Sequence, residues 1–322
     1  NSKSIYKIFF INNEIPKIIM IRNINLIKNI FKTYIGKRHK FKVLKNIFFL
    51  QIRKKLLKRD TLFKTCTNTK ALIQVGIDNG SISGMYYCGI LEVPEVLFAW
   101  HLLRENDIFF DIGANQGSWG LILCAKGVYC HEFEPSSETF RQLEKQRSHN
   151  KDHANKFIPH KLAVSNIDGF DDFTIGKGQG NSLKSSINEQ FFEQKYEQVE
   201  TNTLDTIAEK YGFPKVIKID TEGFELQVLQ KGNNVLSNPN LKALIIETFR
   251  DYNSETKELI AVEKILASYN FYPYFYDPLT RSIEAITKPY EGSFNTIYFR
   301  VNRENLVSLK ESIPIKLFGK YY

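Results

Sequence analysis

Six carboxylates stand where apolar runs of this sequence end. Asp111 closes "DIFFDIG", Glu134 closes "VYCHEFE", Asp220, Glu222 and Glu225 punctuate "KVIKIDTEGFE", and Glu247 closes "KALIIETF". Carboxylates at such places can attract a cation, accept two hydroxyl hydrogen bonds in a fork, or take a proton from a nucleophile. Asp220, Glu222 and Glu225 crowd around Gly223 and repel one another unless something cationic or protonated sits among them. Three arrangements answer that repulsion. The acids can face a cationic cofactor and a substrate hydroxyl, with one of them as general base. They can bind a divalent cation such as Mg²⁺, which suits clustered oxygens. Or Glu222 and Glu225 can occupy the first turn of the next helix and favour its positive end. The first is the expectation; no metal-ligand set is predicted.

The turn Gly113–Gly117 follows Asp111 directly, and glycines there permit tight angles and close approach of a ligand. A dinucleotide fingerprint begun at Gly113 needs Gly at 115 and 118, where Asn115 and Ser118 stand. Asp111 also repels a pyrophosphate. It attracts an ammonium or a sulfonium, by about 1–4 kcal/mol in a partly dry cleft. S-adenosylmethionine carries both cations. Glu134, about 20 residues beyond the turn, is placed to accept the ribose hydroxyls. Asn115 is also suited to a left-handed turn position.

These residues need elements to position them. From about residue 105, strand-like runs alternate with helical patterns, the signature of βαβ units and a mainly parallel sheet. Two short runs, "FYPYFYDP" and "NTIYFRV", predict an antiparallel finish. An insertion over 166–203 reads as turn, strand, flexible loop and strand; Gly176, Gly178 and Gly180 lie in its loop, an acceptor-side segment or one without a role. Residues 71–100 read as two short strands and a lead-in helix.

The chain has 322 residues, 43% of them hydrophobic, enough for a sizeable core. Residues 1–70 hold 18 Lys/Arg against Glu14 and Asp60, whereas the rest is net acidic. A basic, amphipathic N-terminal arm thus precedes an acidic body. The arm suits an anionic membrane surface, a nucleic acid, or helical packing and oligomer contacts. Nucleic acid is disfavoured, since the body is acidic and lacks an N-P-P-Y-type motif. Cys66, Cys88, Cys124 and Cys130 have neither metal nor disulfide spacing, which fits reduced thiols and a cytoplasmic setting, peripheral at the membrane if the arm docks there. The apolar runs near the start are broken by Lys17, Arg22 and Lys28, too short to span a bilayer or to read as a signal peptide. His131 is expected to be a packed strand residue and not a catalyst.

The stretches "FFDIGANQGSWG", "FEP", "LAVSNIDG", "NTLD" and "VIKIDTEGFELQVLQKG", in that order over 105–250, resemble the FkbM-type methyltransferases. The resemblance implies a Rossmann-like class I methyltransferase fold. Its sheet is expected to be mostly parallel and seven-stranded, with an antiparallel final strand. The basic arm, residues 1–70, is then a helical extension of a methyltransferase domain over 71–322. Within that domain 76–104 is a lead-in, 105–250 the cofactor-binding core and 176–198 a flexible loop. The implied activity is S-adenosylmethionine-dependent O-methylation of a hydroxyl on a sugar, glycan or related natural product. The alternatives are an RNA-binding methyltransferase, or a membrane-surface enzyme acting on a lipid-linked glycan. Asp111, Gly113, Ala114, Asn115, Gly117, Glu134, Ala163 and Asp220 are the expected cofactor-binding residues, with Ala163 in the "LAVS" run that lines the adenine. Asp220, Glu222 and Glu247 are the expected catalytic group. The expected partner is a small-molecule or glycan acceptor, with self-association open.

Overall fold

The computed structural model describes residues 27–28, 30–57, 60–65, 67–76, 82–175, 195–248, 257–287 and 295–322. A short antiparallel pair comes first, β1 (Thr61–Lys64) and β2 (Leu72–Val75). The apolar runs then build the main sheet with β3 (Ile108–Ile112), β4 (Tyr129–Phe133) and β5 (Phe157–His160). A side sheet interrupts, made of β6 (Ala163–Ser165), β7 (Gly169–Ile175) and β8 (Lys195–Thr203). The main sheet resumes with β9 (Val216–Ile219), β10 (Ala243–Glu247), β11 (Tyr272–Asp277), β12 (Ser282–Ala285) and β13 (Asn295–Phe299). A last pair, β14 (Lys316–Leu317) and β15 (Lys320–Tyr321), ends the chain.

Across the main sheet the order is β12-β11-β13-β10-β9-β3-β4-β5. The pairs β10/β9, β9/β3, β3/β4 and β4/β5 are parallel. The chain leaves β3 in one direction to β4 and β5, then returns to the other side through β9 and β10. In an open sheet that reversal leaves a crevice at the carboxyl ends of β3 and β9, where ligands bind.

Every residue of β9 and β13 is buried, as strands covered on both faces require. Phe109, Val216, Ala243 and Phe299 join the larger core cluster, together with the fully buried helix Val93–Leu102. Phe110, Ile217, Leu244 and Tyr298 join the other, beneath the helices Leu204–Tyr211, Glu225–Gln230 and Lys257–Ser268. The helical run expected after Glu225 is two short helices, Glu225–Gln230 and Asn233–Ser237, with Gly232 between them.

The parallel core with an antiparallel last strand is as expected, but among the described residues the main sheet has eight strands where seven were expected. The turn after Asp277 folds the chain back, so that Ser282–Ala285 pairs with β11 as an edge strand. "KFIPHKLAVS" is also two strands in different sheets. Pro159 has no N–H to give, which suits the edge position of β5. Among the described residues of 71–100 there is one strand, β2, and its partner β1 lies upstream. The 70/71 boundary drawn from charge therefore falls inside an antiparallel pair.

The charge break is not a packing break either. Helices Tyr34–Arg38 and Lys40–Leu57 bury Ile35, Val43, Ile47 and Leu50 in the same cluster as Phe98 and Phe299. Thr33 caps the first of them by accepting the Gly36 N–H at 3.0 Å. Of the expected loop 176–198, residues 176–194 lie outside the described residues, and 195–198 are already strand β8. Cys66 also lies outside them; Cys88, Cys124 and Cys130 are buried and form no disulfide among the described residues. No helix among the described residues is long and apolar enough to cross a membrane.

Candidate active site at the strand ends

Strand register creates a row of ionisable groups across the centre of the sheet. Asp111 on β3 stands opposite Glu132 on β4 and opposite Lys218 on β9. All three are buried. Lys218 Nζ lies 3.3 Å from Asp111 Oδ1 and 2.9 Å from Asp220 Oδ2, so one ammonium bridges both acids. Burial alone would lower the Lys218 pKa, but Asp111, Asp220 and Glu92 more than offset it and hold the ammonium protonated. Burial pushes the Asp111 carboxyl up, and Lys218 opposes that push. Glu132 is driven well above the carboxylate range by burial and then by Asp111. It is the protonated member of the pair, since two charges so close in a dry site repel.

The glycine turn packs against this row. Gly113 has φ +79°, and a Cβ there would lie 1.8 Å from the Asp220 carbonyl oxygen. A Cβ on Gly117 would collide with Phe157 and Leu143. Protein fills the space these glycines leave, so packing by itself already demands them. Gly113 and Ala114 donate their N–H groups to the Phe133 carbonyl at 3.1 and 3.0 Å. Asn115, at φ +53°, donates its own to Glu134 Oε2 at 3.0 Å. Three successive amides are thus committed to protein, and the turn offers no phosphate nest. Gln116 Oε1 is buried among the described residues with no hydrogen-bond partner.

Glu134 also accepts the Ser136 N–H at 3.0 Å through Oε1. Burial lifts it to about 7, while the Ser136 and Asn115 amides pull it down. Each of its oxygens already takes one amide and retains a lone pair.

Beyond Lys218 the acids turn outward. Asp220 and Glu247 stand side by side at the ends of adjacent strands; burial first, then Asp220, Glu222 and Glu225, raise Glu247 to about 8. Glu222 is exposed, with φ +54°. Glu225 is tied down: its Oε1 accepts from Thr221 N, Thr221 Oγ1 and Gly223 N, each at 3.0 Å. It shapes the turn instead of facing a ligand. Glu92 accepts from Trp119 Nε1 at 2.8 Å and Asn295 Nδ2 at 2.6 Å. Burial raises it, opposed by Lys218. The Lys218 ammonium sits 5.9 Å from the Trp119 ring centre.

The expected residues therefore divide. Asp111 and Asp220 meet through Lys218, Glu247 joins Asp220, Gly113 touches Asp220, and Asn115 meets Glu134. Asp111 is 1% exposed, so it acts on the cleft through Lys218 and does not line it. Ala114 is buried. Ala163 lies in the side sheet and reaches the site only by packing with Phe224 of the "TEGFE" turn. His131 is buried as expected, with Nδ1 2.9 Å from His160 Nε2 and the two rings stacked. Burial lowers it to about 4. Sequence reasoning missed Glu92, Glu132 and Gln116. Nothing in the spacing around Glu92 links it to Asn295, and Glu132 is mid-strand; the one available signal was an acid in an otherwise apolar run.

Glu134, Asp220 and Glu247 gather carboxyl groups at the strand ends, a set that suits hydroxyl and ammonium donors or a sulfonium better than a phosphate. That chemistry fits S-adenosylmethionine, which offers hydroxyl donors and cationic charge. Among the described residues no group of three His, Cys, Asp or Glu is arranged to hold a metal ion.

Residues 111–273 match the methyltransferase FkbM domain family. Hexuronic acid methyltransferase AglP of Haloferax volcanii is 29% identical over 159 residues, which are 48% of this chain and 62% of that protein. The match therefore spans less than two thirds of the relative's length. Among solved structures, methyltransferase FkbM from Methylobacillus flagellatus is similar over 69% of this chain and 55% of its own, at 16% identity and a TM-score of 0.43. Magnesium protoporphyrin IX methyltransferase from Synechocystis, solved with bound SAM, is similar over 64% of this chain and 76% of its own, at 10% identity and a TM-score of 0.37.

Proposed function

The chain belongs to the FkbM methyltransferase family, and on that premise we propose that it transfers a methyl group from S-adenosylmethionine to a hydroxyl oxygen of a sugar or glycan. One observation carries this: Glu247 closes β10 beside Asp220 at the end of β9, at the carboxyl-end crevice of the parallel strands, where burial and the neighbouring acids raise Glu247 to about 8. In this reading residues 105–250 form the cofactor-binding core.

When bound, the cofactor supplies an electrophilic methyl on a sulfonium. The chain's own residues do the rest. Glu134, held by the Asn115 and Ser136 amides, takes the ribose hydroxyls. Lys218 keeps Asp220 oriented while neutralising Asp111 behind it. Glu247, raised to about 8, would release its proton to solvent when positive charge lies beside it, and the carboxylate so formed would take the proton of the acceptor hydroxyl as the oxygen is methylated. Positioning supplies most of the remaining rate. Glu222 stands at the mouth, on the acceptor side.

The Haloferax relative is named for a hexuronic acid, which supports a sugar acceptor. A hexuronic acid offers both hydroxyl and carboxylate oxygens. We favour the hydroxyl: it needs a base, and an acceptor carboxylate would meet Asp220 and Glu247 as like charges. The test is a transfer assay with labelled S-adenosylmethionine on neutral and uronic sugars and glycans. The expected product keeps its label in alkali, as an ether does. Label released by alkali means an ester and overturns the hydroxyl assignment; no calorimetric binding of the donor overturns the cofactor. An anionic membrane surface and a second copy of the chain are partners separate from this reading.

A further inference from the structure

We infer that the outer face of helix Lys40–Leu57 docks the protein on an anionic lipid surface. The sequence between residues 27 and 57 contains no Asp or Glu. The helix buries Val43, Ile47 and Leu50, spaced i, i+4, i+7, against the body. Its other side points Phe41 (89% exposed), Phe48 (59%) and Phe49 (46%) into solvent. Phe41 and Phe48 are two turns apart and share one ridge. Lys40, Lys45 and Arg53 are exposed on the same helix, with the Lys45 ammonium 5.9 Å from the Phe49 ring centre.

Exposed rings on a helix whose own charged residues are all cationic suit a deformable apolar layer beneath anionic headgroups. A second copy is disfavoured, because it would set one basic face against another. RNA would use the cations but leave Phe41 without a requirement to stand proud. The helix is also fixed to the body. Asn46 Nδ2 donates to the Tyr86 and Tyr87 carbonyls at 3.1 and 3.2 Å, and Lys54 Nζ to Ser83 Oγ at 3.1 Å. The segment Ser83–Cys88 runs on to Glu92 at the site, so docking would set the active site at a defined height above the bilayer.

The test is co-sedimentation of the full chain with phosphatidylcholine vesicles with and without about one-third phosphatidylglycerol. Binding only to the anionic vesicles, weakened by salt, is expected. The triple variant Phe41→Ser, Phe48→Ser, Phe49→Ser is expected to bind about tenfold less, and Lys40→Glu with Lys45→Glu similarly, both with the parent's circular dichroism and melting. Failure of the parent to bind, or a triple variant that binds as the parent does, overturns the inference. So does a parent dimer that the triple variant converts to monomer, or RNA that competes while vesicles do not.

Discussion

In the centre of the sheet Lys218 lies between Asp111 and Asp220, almost out of reach of water. On the helix Lys40–Leu57, Lys45 lies beside Phe49 with solvent around it. The residue type is the same, but the neighbours decide what its charge does. A buried ammonium holds two carboxylates in place and its loss leaves them uncompensated; an exposed one adds a weak, screened attraction. The first kind of charge is specified by strand register, the second only by composition.

The sharpest way to break this comparison is to remove each cation in turn. Lys218→Met is expected to lower stability by about 3–5 kcal/mol in urea titration at pH 7, because Asp111 is left buried and unpaired. Lys45→Met is expected to stay within about 0.5 kcal/mol of the parent. Adding Asp111→Asn to Lys218→Met should restore part of the loss; simple additivity would mean the ion pair is not the cause.

Glu247→Gln comes next. It should cut turnover by about 10²–10⁴ and flatten a parent pH–rate profile that rises toward pH 8. The folded-state pKa of Glu247 is above its ordinary 4.5, so the fold favours the protonated form. That contribution is full below pH 4.5 and is lost as pH rises through about 8. The Gln variant should therefore match the parent at pH 4 and melt higher than it at pH 9; equal differences at both pH values would contradict the raised pKa.

Glu134→Gln keeps one acceptor oxygen where two are needed. Donor affinity by calorimetry is expected to fall about 10–100-fold, with turnover at saturation less affected. The smallest effect is expected at exposed Glu222. Glu222→Asn suits the left-handed backbone at least as well, so melting should be unchanged and the rate should fall less than about tenfold. A larger loss would move Glu222 into the catalytic group with Glu247.

Much of the site was legible because its signals are local. The turn Gly113–Gly117, Asn115 at positive φ, and Asp220 at a strand end all follow from neighbours within a few residues. The reason for the glycines was not legible: they make room for Asp220, Phe157 and Leu143, which are distant in sequence. Glu92 was hidden because its partner Asn295 is about 200 residues away. The basic N-terminal segment read as a detachable arm, since charge composition carries no information about Val43 and Leu50 packing into the common core.

The sequence by itself determined the alternation of strands and helices, the acids at the strand ends and the sign of the charge on each part, for these depend on residue type and short-range spacing. Only the tertiary structure decided which acids are dry, which are bridged by Lys218 and which merely shape a turn. Those properties depend on water exclusion and on contacts of a few ångströms between strands, and pairing register, not chain distance, creates them.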